Sequence, residues 1–305
     1  MSLFTLGARL AADARRLATT IRIPKEDAIR EIRRLACHAL RLTPAQLAVR
    51  EREAPGRFDL SPYGIVFDRR LKGEPIQYIM GECGFRDHVF RITPDVLIPR
   101  PETEELVEAA LNVVPEDREF AVLDVGTGSG CIAVSLALSR PSAVVTAIDF
   151  SEAALAVAAG NAERLGARNV QFVHSHWYEK VAGTQFDLIV SNPPYVVQVD
   201  PHLETLKFEP AAALVAGPDG LDALRAVVSR APQHLVAGGV LLVEHGYDQQ
   251  DAVCELFAGA GFSAVTGARD LSGKPRMVAG RWQANDGESE HKTTKPRKRR
   301  TPVSA

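Results

Sequence analysis

The sequence predicts a doubly wound α/β domain preceded by a small helical domain, and three observations carry that prediction. After Pro101, short β-rich apolar runs alternate with helical segments, the pattern of a parallel sheet covered on both faces. Through the first 72 residues, apolar positions instead recur at helical spacing. Between the two lie short aromatic and β-branched runs around Gly81 and Gly84, from Ile76 to Ile92, which read as a β-hairpin. A length of 305 residues corresponds to about two domains at roughly 150 residues each. The composition, 46% hydrophobic and 24% charged, excludes collagen-like, wholly disordered and coiled-coil chains.

In the helical domain, placed at residues 1–73, Ile29, Ile32, Leu35, Ala36, Ala39 and Leu40 form one apolar stripe opposed by Lys, Arg and Glu. Thr43-Pro44 has the form of an N-cap followed by Pro at the first helical position, opening a short helix toward Val49. Gly73-Glu74-Pro75 closes the helical part, because Pro cannot continue a helix and restrains the residue before it. The hairpin linker is placed at 74–95. The catalytic domain, 96–283, has strands expected at Ala121 to Val125, Val144 to Ile148, Val170 to Val173, Phe186 to Val190 and Val240 to Val243. Phe262 to Thr266 and Arg276 to Trp282 add two final strands, and helices are expected at Cys131 to Ser139, Glu152 to Leu165 and Leu221 to Leu235. The tail, 284–305, lacks aromatic residues and cannot offset its ordering entropy, so it is expected to be disordered. Its basic run Lys295 to Arg300 suits a solubilising tail, a nucleic-acid contact or a targeting signal.

Charge is distributed unevenly along the chain. Residues 1–90 hold 16 Lys and Arg against 11 Asp and Glu, net +5, whereas 91–283 hold 14 against 24, net −10. The tail holds 6 against 3, net +3, and the chain as a whole is at −2, which argues against a nucleic-acid binder throughout. Cys37, Cys83, Cys131 and Cys254 are far apart without zinc spacing, so neither a disulfide framework nor a metal site is expected, and a cytoplasmic location fits. Arg9, Asp13, Arg15 and Arg16 interrupt the amino end early, so neither a secretory signal nor a membrane span is expected.

Asp124-Val125-Gly126-Thr127-Gly128-Ser129-Gly130 lies where a strand turns into a helix, the place where open α/β sheets bind ligands. Glycines permit the tight turn and a close approach to the backbone, and the helix start favours an anion. The spacing is G-x-G-x-G, with Cys131 where a dinucleotide fingerprint needs its last glycine, so a nicotinamide cofactor is disfavoured. Asp149 ends the next strand, placed to bind ribose hydroxyls. An adenosine ligand without a pyrophosphate suits this combination, and S-adenosyl-L-methionine fits: its carboxylate would meet the glycine turn and its ribose Asp149.

The fourth core strand ends in Ser191-Asn192-Pro193-Pro194-Tyr195. Two prolines after a buried strand cannot extend the ladder and fix a rigid loop. The Asn192 side-chain oxygen and the Pro193 carbonyl could accept both N–H bonds of a planar amide or amino group, holding a delocalised nitrogen toward a methyl sulfonium. Tyr195 is expected to stack over that group and stabilise developing positive charge.

The G-x-G-x-G loop together with Asn192-Pro193-Pro194-Tyr195 resembles class I methyltransferases acting on planar nitrogens, namely adenine-N6 DNA methyltransferases and protein glutamine-N5 methyltransferases. Gly73-Glu74-Pro75-Ile76-Gln77-Tyr78, Leu97 to Glu104 and Phe208-Glu209-Pro210 further resemble the peptide chain release factor N5-glutamine methyltransferase family. The resemblance runs from about residue 26 to Trp282. It implies a seven-stranded Rossmann-like methyltransferase sheet, a helical substrate-recognition domain, a linking hairpin, and a Gly-Gly-Gln glutamine of a release factor as methyl acceptor. By position, Gly126, Thr127, Gly128, Ser129, Gly130, Asp149, Trp177 and Asn192 would bind S-adenosyl-L-methionine, and Asn192, Pro193, Pro194 and Tyr195 the glutamine. Trp177 would lie near the adenine, or else serve as an ordinary core aromatic. Two positions depart from the family pattern: His176 stands where an acidic residue is usual, and Arg86 where an aromatic is common. The Pro101 segment is read as a helix start, and Glu244-His245-Gly246 as structural. A ribosomal-protein (L3) glutamine methyltransferase, a DNA methyltransferase and a catalytically silent binding module remain as alternatives.

Overall fold

The computed structural model describes residues 5–53 and 59–283; the tail expected to be disordered, 284–305, lies outside the described residues. The chain opens with α1 (Leu6–Ile21), α2 (Lys25–Leu40), α3 (Pro44–Arg50), α4 (Ser61–Leu71) and α5 (Ile76–Met80). These enclose one core in which Leu6, Leu17, Leu35, Tyr63 and Phe67 are buried. Thr43 caps α3 as expected, in a capping box with Gln46. Ile29 of the anticipated apolar stripe is exposed, while Ile32, Leu35 and Ala36 face inward. Asp13, buried in this core, accepts hydrogen bonds from Tyr63 at 3.0 Å and Arg9 at 2.8 Å, so its burial is compensated.

One expectation is corrected here. Residues 76–80 form α5 rather than part of the hairpin, because Ile76 and Ile79 bury against the helical core and Gly81, at φ +73°, ends the turn. The hairpin is confined to β1 (Glu82–Phe85) and β2 (His88–Arg91). Its Phe85 and Phe90 pack edge-to-face and belong to a core cluster of the sheet domain.

Beyond the hairpin come α6 (Pro101–Val113), β3 (Phe120–Val125), α7 (Cys131–Ser139), β4 (Ala143–Asp149), α8 (Glu152–Leu165), β5 (Val170–His174) and β6 (Phe186–Ser191). The chain then runs through α9 (Asp222–Arg230), β7 (Leu235–Glu244), α10 (Gln250–Gly259), β8 (Ser263–Arg269) and β9 (Pro275–Arg281). The expected long helix to Leu235 stops at Arg230: Pro232 sits in a 3₁₀ turn, and Leu235 already belongs to β7. The seven strands are ordered β5-β4-β3-β6-β7-β9-β8. The first five are parallel, and β9 and β8 return antiparallel. Side chains of α6, α7 and β3 fill the core on one face, and those of α9, α10 and Tyr178 the core on the other. Strand order reverses between β3 and β6, which opens a crevice beyond their carboxyl ends.

Candidate active site

A cavity of about 670 Å³ occupies that crevice, within the size range of small-molecule and cofactor sites. Gly126, Thr127, Gly128 and Ser129 form its floor beyond β3, Asp149 and Phe150 its side beyond β4, and Asn192, Pro193 and Pro194 its side beyond β6. Ser191 bonds Val125 O at 2.7 Å and so locks the ends of β6 and β3 together.

The glycine loop is held from below. Gly126 and Thr127 donate their N–H groups to Ile148 O, and Gly128 donates to Asp149 Oδ2 at 2.9 Å. Gly126 and Gly128 have φ of +76° and +53°, and a Cβ on either would meet no atom within 4 Å. Both therefore leave open space on the cavity side. Gly130 is placed differently from Gly126 and Gly128. It is absent from the cavity wall, its N–H is spent on Thr127 O, and a Cβ there would lie 3.0 Å from that of Ala158. Its glycine character serves the close packing of α7 on α8. Asn161 of α8, fully buried, reinforces this corner by bonding Ser129 O and both backbone polar groups of Arg91.

Asp149 is 7% exposed and accepts N–H bonds from Gly128 and Ser151. Burial pushes its carboxyl up from the usual range against those backbone donors. Asp124, beneath the loop, accepts from Thr127 at 2.7 Å and Ala133 at 3.2 Å, while its Oδ1 has no hydrogen-bond partner. Burial raises it to about 7. Trp177 lines the cavity and also packs against the sheet core. Its backbone is left-handed, φ +51°, a costly conformation for an aromatic, and Ser175 holds it by donating to Trp177 O at 2.7 Å. His176 also lines the cavity and pairs with Glu179 at 3.5 Å.

Asn192, Pro193 and Pro194 face the cavity as anticipated, but Tyr195 is not among the residues that line it. Its ring packs against the sheet core, its hydroxyl donates to Glu244 Oε1 at 3.1 Å, and Gln249 bonds its carbonyl. Tyr195 thus braces the end of the loop through its hydroxyl. Glu244 also accepts from Thr103 Oγ1 at 2.8 Å, and that same oxygen receives Asn192 Nδ2 at 3.0 Å. Burial raises Glu244 to about 7. The sequence reading gave no site role to Thr103, to Glu244, which it took as structural, or to Glu209, which takes the Ile98 N–H and the Arg100 guanidinium. The runs Leu97 to Glu104 and Phe208 to Pro210 had signalled something there, and their meaning is that they meet as one wall.

The topology and the loops gathered at its switch point place the chain among the methyltransferases. Residues 106–259 match the model of the family described as Methyltransferase small domain, and residues 13–81 that of the PrmC N-terminal domain. The chain belongs to the release factor glutamine methyltransferase family. It is 47% identical to the release factor glutamine methyltransferase of Bordetella pertussis over 82% of this chain and 93% of that one. It is likewise 47% identical to the one from Pseudomonas aeruginosa, over 76% and 82% respectively. The fold is shared with a T. thermophilus 16S rRNA N2 G1207 methyltransferase solved with AdoMet and guanosine. That structure matches at a TM-score of 0.51 and 22% identity, over 66% of this chain and 50% of that one.

Proposed function

We propose that this protein transfers a methyl group from S-adenosyl-L-methionine to N5 of the glutamine in the Gly-Gly-Gln motif of peptide chain release factors. One observation carries the reading: Asn192 and Pro193 line the same cavity as the glycine loop and Asp149. The names of the relatives at 47% identity support the choice of acceptor.

The residues present fit the cofactor. Gly126 to Ser129 leave room beside the backbone for its methionine end, Asp149 offers a carboxylate to its ribose hydroxyls, and Trp177 offers an apolar face to its adenine. When bound, the cofactor supplies a methyl carried on a sulfonium. The chain's own task is to hold a nitrogen whose lone pair is delocalised and poorly nucleophilic. Asn192 and the Pro193 carbonyl accept its two N–H bonds, and the prolines keep the loop from moving. Positioning of this kind contributes on the order of 7–11 kcal/mol.

The helical domain, 1–73, is assigned to docking of the release factor, and its net positive charge to that surface. No helix among the described residues is long and apolar enough to cross a membrane, and the cysteine usage favours a cytoplasmic setting. The test is incubation with labelled S-adenosyl-L-methionine and, separately, release factor, ribosomal protein L3 and duplex DNA. Label on release factor is expected; label on L3 or DNA alone overturns the assignment.

A further inference from the structure

We infer that Thr103 and Glu244 are positioning residues that set the orientation of the Asn192 side-chain amide and so present its oxygen to the substrate. The inference rests on the proposed role of Asn192 as the acceptor for the substrate amide.

An asparagine side chain has one donor end and one acceptor end of nearly equal size, and packing alone distinguishes them poorly. Here the distinction is made by a chain of hydrogen bonds. Glu244 is 1% exposed and ends β7. Its Oε2 accepts the Thr103 hydroxyl at 2.8 Å, and its Oε1 accepts the Tyr195 hydroxyl at 3.1 Å. A hydroxyl carries a single hydrogen. Above about pH 7, where Glu244 is ionised and can only accept, Thr103 gives it that hydrogen, Thr103 Oγ1 is left to accept, and the end of Asn192 that faces it at 3.0 Å must be Nδ2. The opposite end, Oδ1, is then left for a donor. Were Asn192 turned over, two acceptors would face each other, at the cost of an unmade buried hydrogen bond.

The surroundings support this assignment. Thr103 is 2% exposed and stands in the first turn of α6, so a rigid element fixes its hydroxyl. Tyr195 closes the chain from the far side of the Pro193-Pro194 loop, and the loop is braced at both ends through one carboxylate. The four residues come from three elements: α6, the end of β6 and the end of β7. The run Arg100-Pro101-Glu102-Thr103 thereby gains a task that a helix start alone does not explain.

The test combines a rate with a spectroscopic signature. Protein labelled with ¹⁵N-asparagine is compared as wild type and Thr103→Val, the Asn192 side-chain signal being identified by its loss in Asn192→Ala. Release of Nδ2 should shift that signal and speed its hydrogen exchange. With release factor as substrate, Thr103→Val should lower kcat about 10- to 100-fold while the dissociation constant for S-adenosyl-L-methionine stays within about twofold. Thr103→Ser should recover most of the rate, and Thr103→Val added to Asn192→Ala should cause no further loss. An unmoved Asn192 signal overturns the inference whatever the substrate proves to be. A moved signal with undiminished transfer, or losses that multiply independently in the double variant, also overturns it. A wild type that leaves release factor unmethylated contradicts the proposed function, and a moved signal in Thr103→Val then still upholds the orienting bonds.

Discussion

Arg100 and Glu209, 109 residues apart in the chain, meet at 2.6 Å. The Glu209 side chain is 2% exposed and that of Arg100 31% exposed, and the second carboxylate oxygen takes the Ile98 N–H at 3.2 Å. Two short runs that look unrelated along the sequence are therefore halves of one wall of the cavity.

Removing the cation should leave a buried carboxylate with one backbone donor. Arg100→Met is expected to destabilise the protein by about 2 kcal/mol, less than a fully buried pair because Arg100 is partly solvated. Glu209→Gln with Arg100 intact should cost less. Urea unfolding measures both, and an Arg100→Met variant as stable as wild type would show that the pair is not what holds this wall.

Gly128 and Gly130 should respond oppositely to the same added methyl. At Gly130 it would press on Ala158 in a left-handed backbone, costing about 2 kcal/mol or more of stability. At Gly128 it enters open space, so the stability cost is about 1 kcal/mol while cofactor affinity falls about tenfold or more. Thermal melts and calorimetry on Gly128→Ala and Gly130→Ala separate the two, and identical behaviour would contradict the division of labour within the loop.

Asp149→Ala removes the carboxylate beside the ribose site and frees the Gly128 N–H. The expected loss in S-adenosyl-L-methionine affinity is about 10- to 100-fold, the range of a charged hydrogen bond. An unchanged dissociation constant would remove Asp149 from the cofactor site.

Glu244 gives a pH signature. Its carboxyl is held at about 7 against an ordinary 4.5, so between these values the folded protein binds more protons than the unfolded chain. Its contribution to stability therefore falls as pH rises through that window. Glu244→Gln does not titrate, so the stability of wild type relative to the variant should decline from pH 4.5 to pH 7 and then level off. A difference that stays flat across the window would contradict the burial argument for this carboxyl.

Much of this architecture was legible beforehand for physical reasons. Strands buried on both faces read as nearly continuous apolar runs, and β3 and β6 declare themselves by that. The glycine loop and the Asn-Pro-Pro segment were legible because backbone freedom and rigidity are written in single residue types. α5 was not, since Pro75-Ile76-Gln77-Tyr78-Ile79-Met80 has strand-like composition and only its burial against the helical core selects a helix. Thr103 and Glu244 stayed hidden because they are 141 residues apart, and no local spacing shows such a pairing. The bond of Tyr195 to Glu244 stayed hidden for the same reason, the two lying 49 residues apart.

The central claim is that Asn192 holds a release-factor glutamine in the cavity. Mass spectrometry of release factor after incubation with S-adenosyl-L-methionine and either wild type or Asn192→Ala tests it most directly. One methyl on N5 of the Gly-Gly-Gln glutamine with wild type, and near-complete loss of it with Asn192→Ala while cofactor binding is partly retained, is the predicted result. Methylation at another residue, or undiminished methylation by Asn192→Ala, would contradict the account.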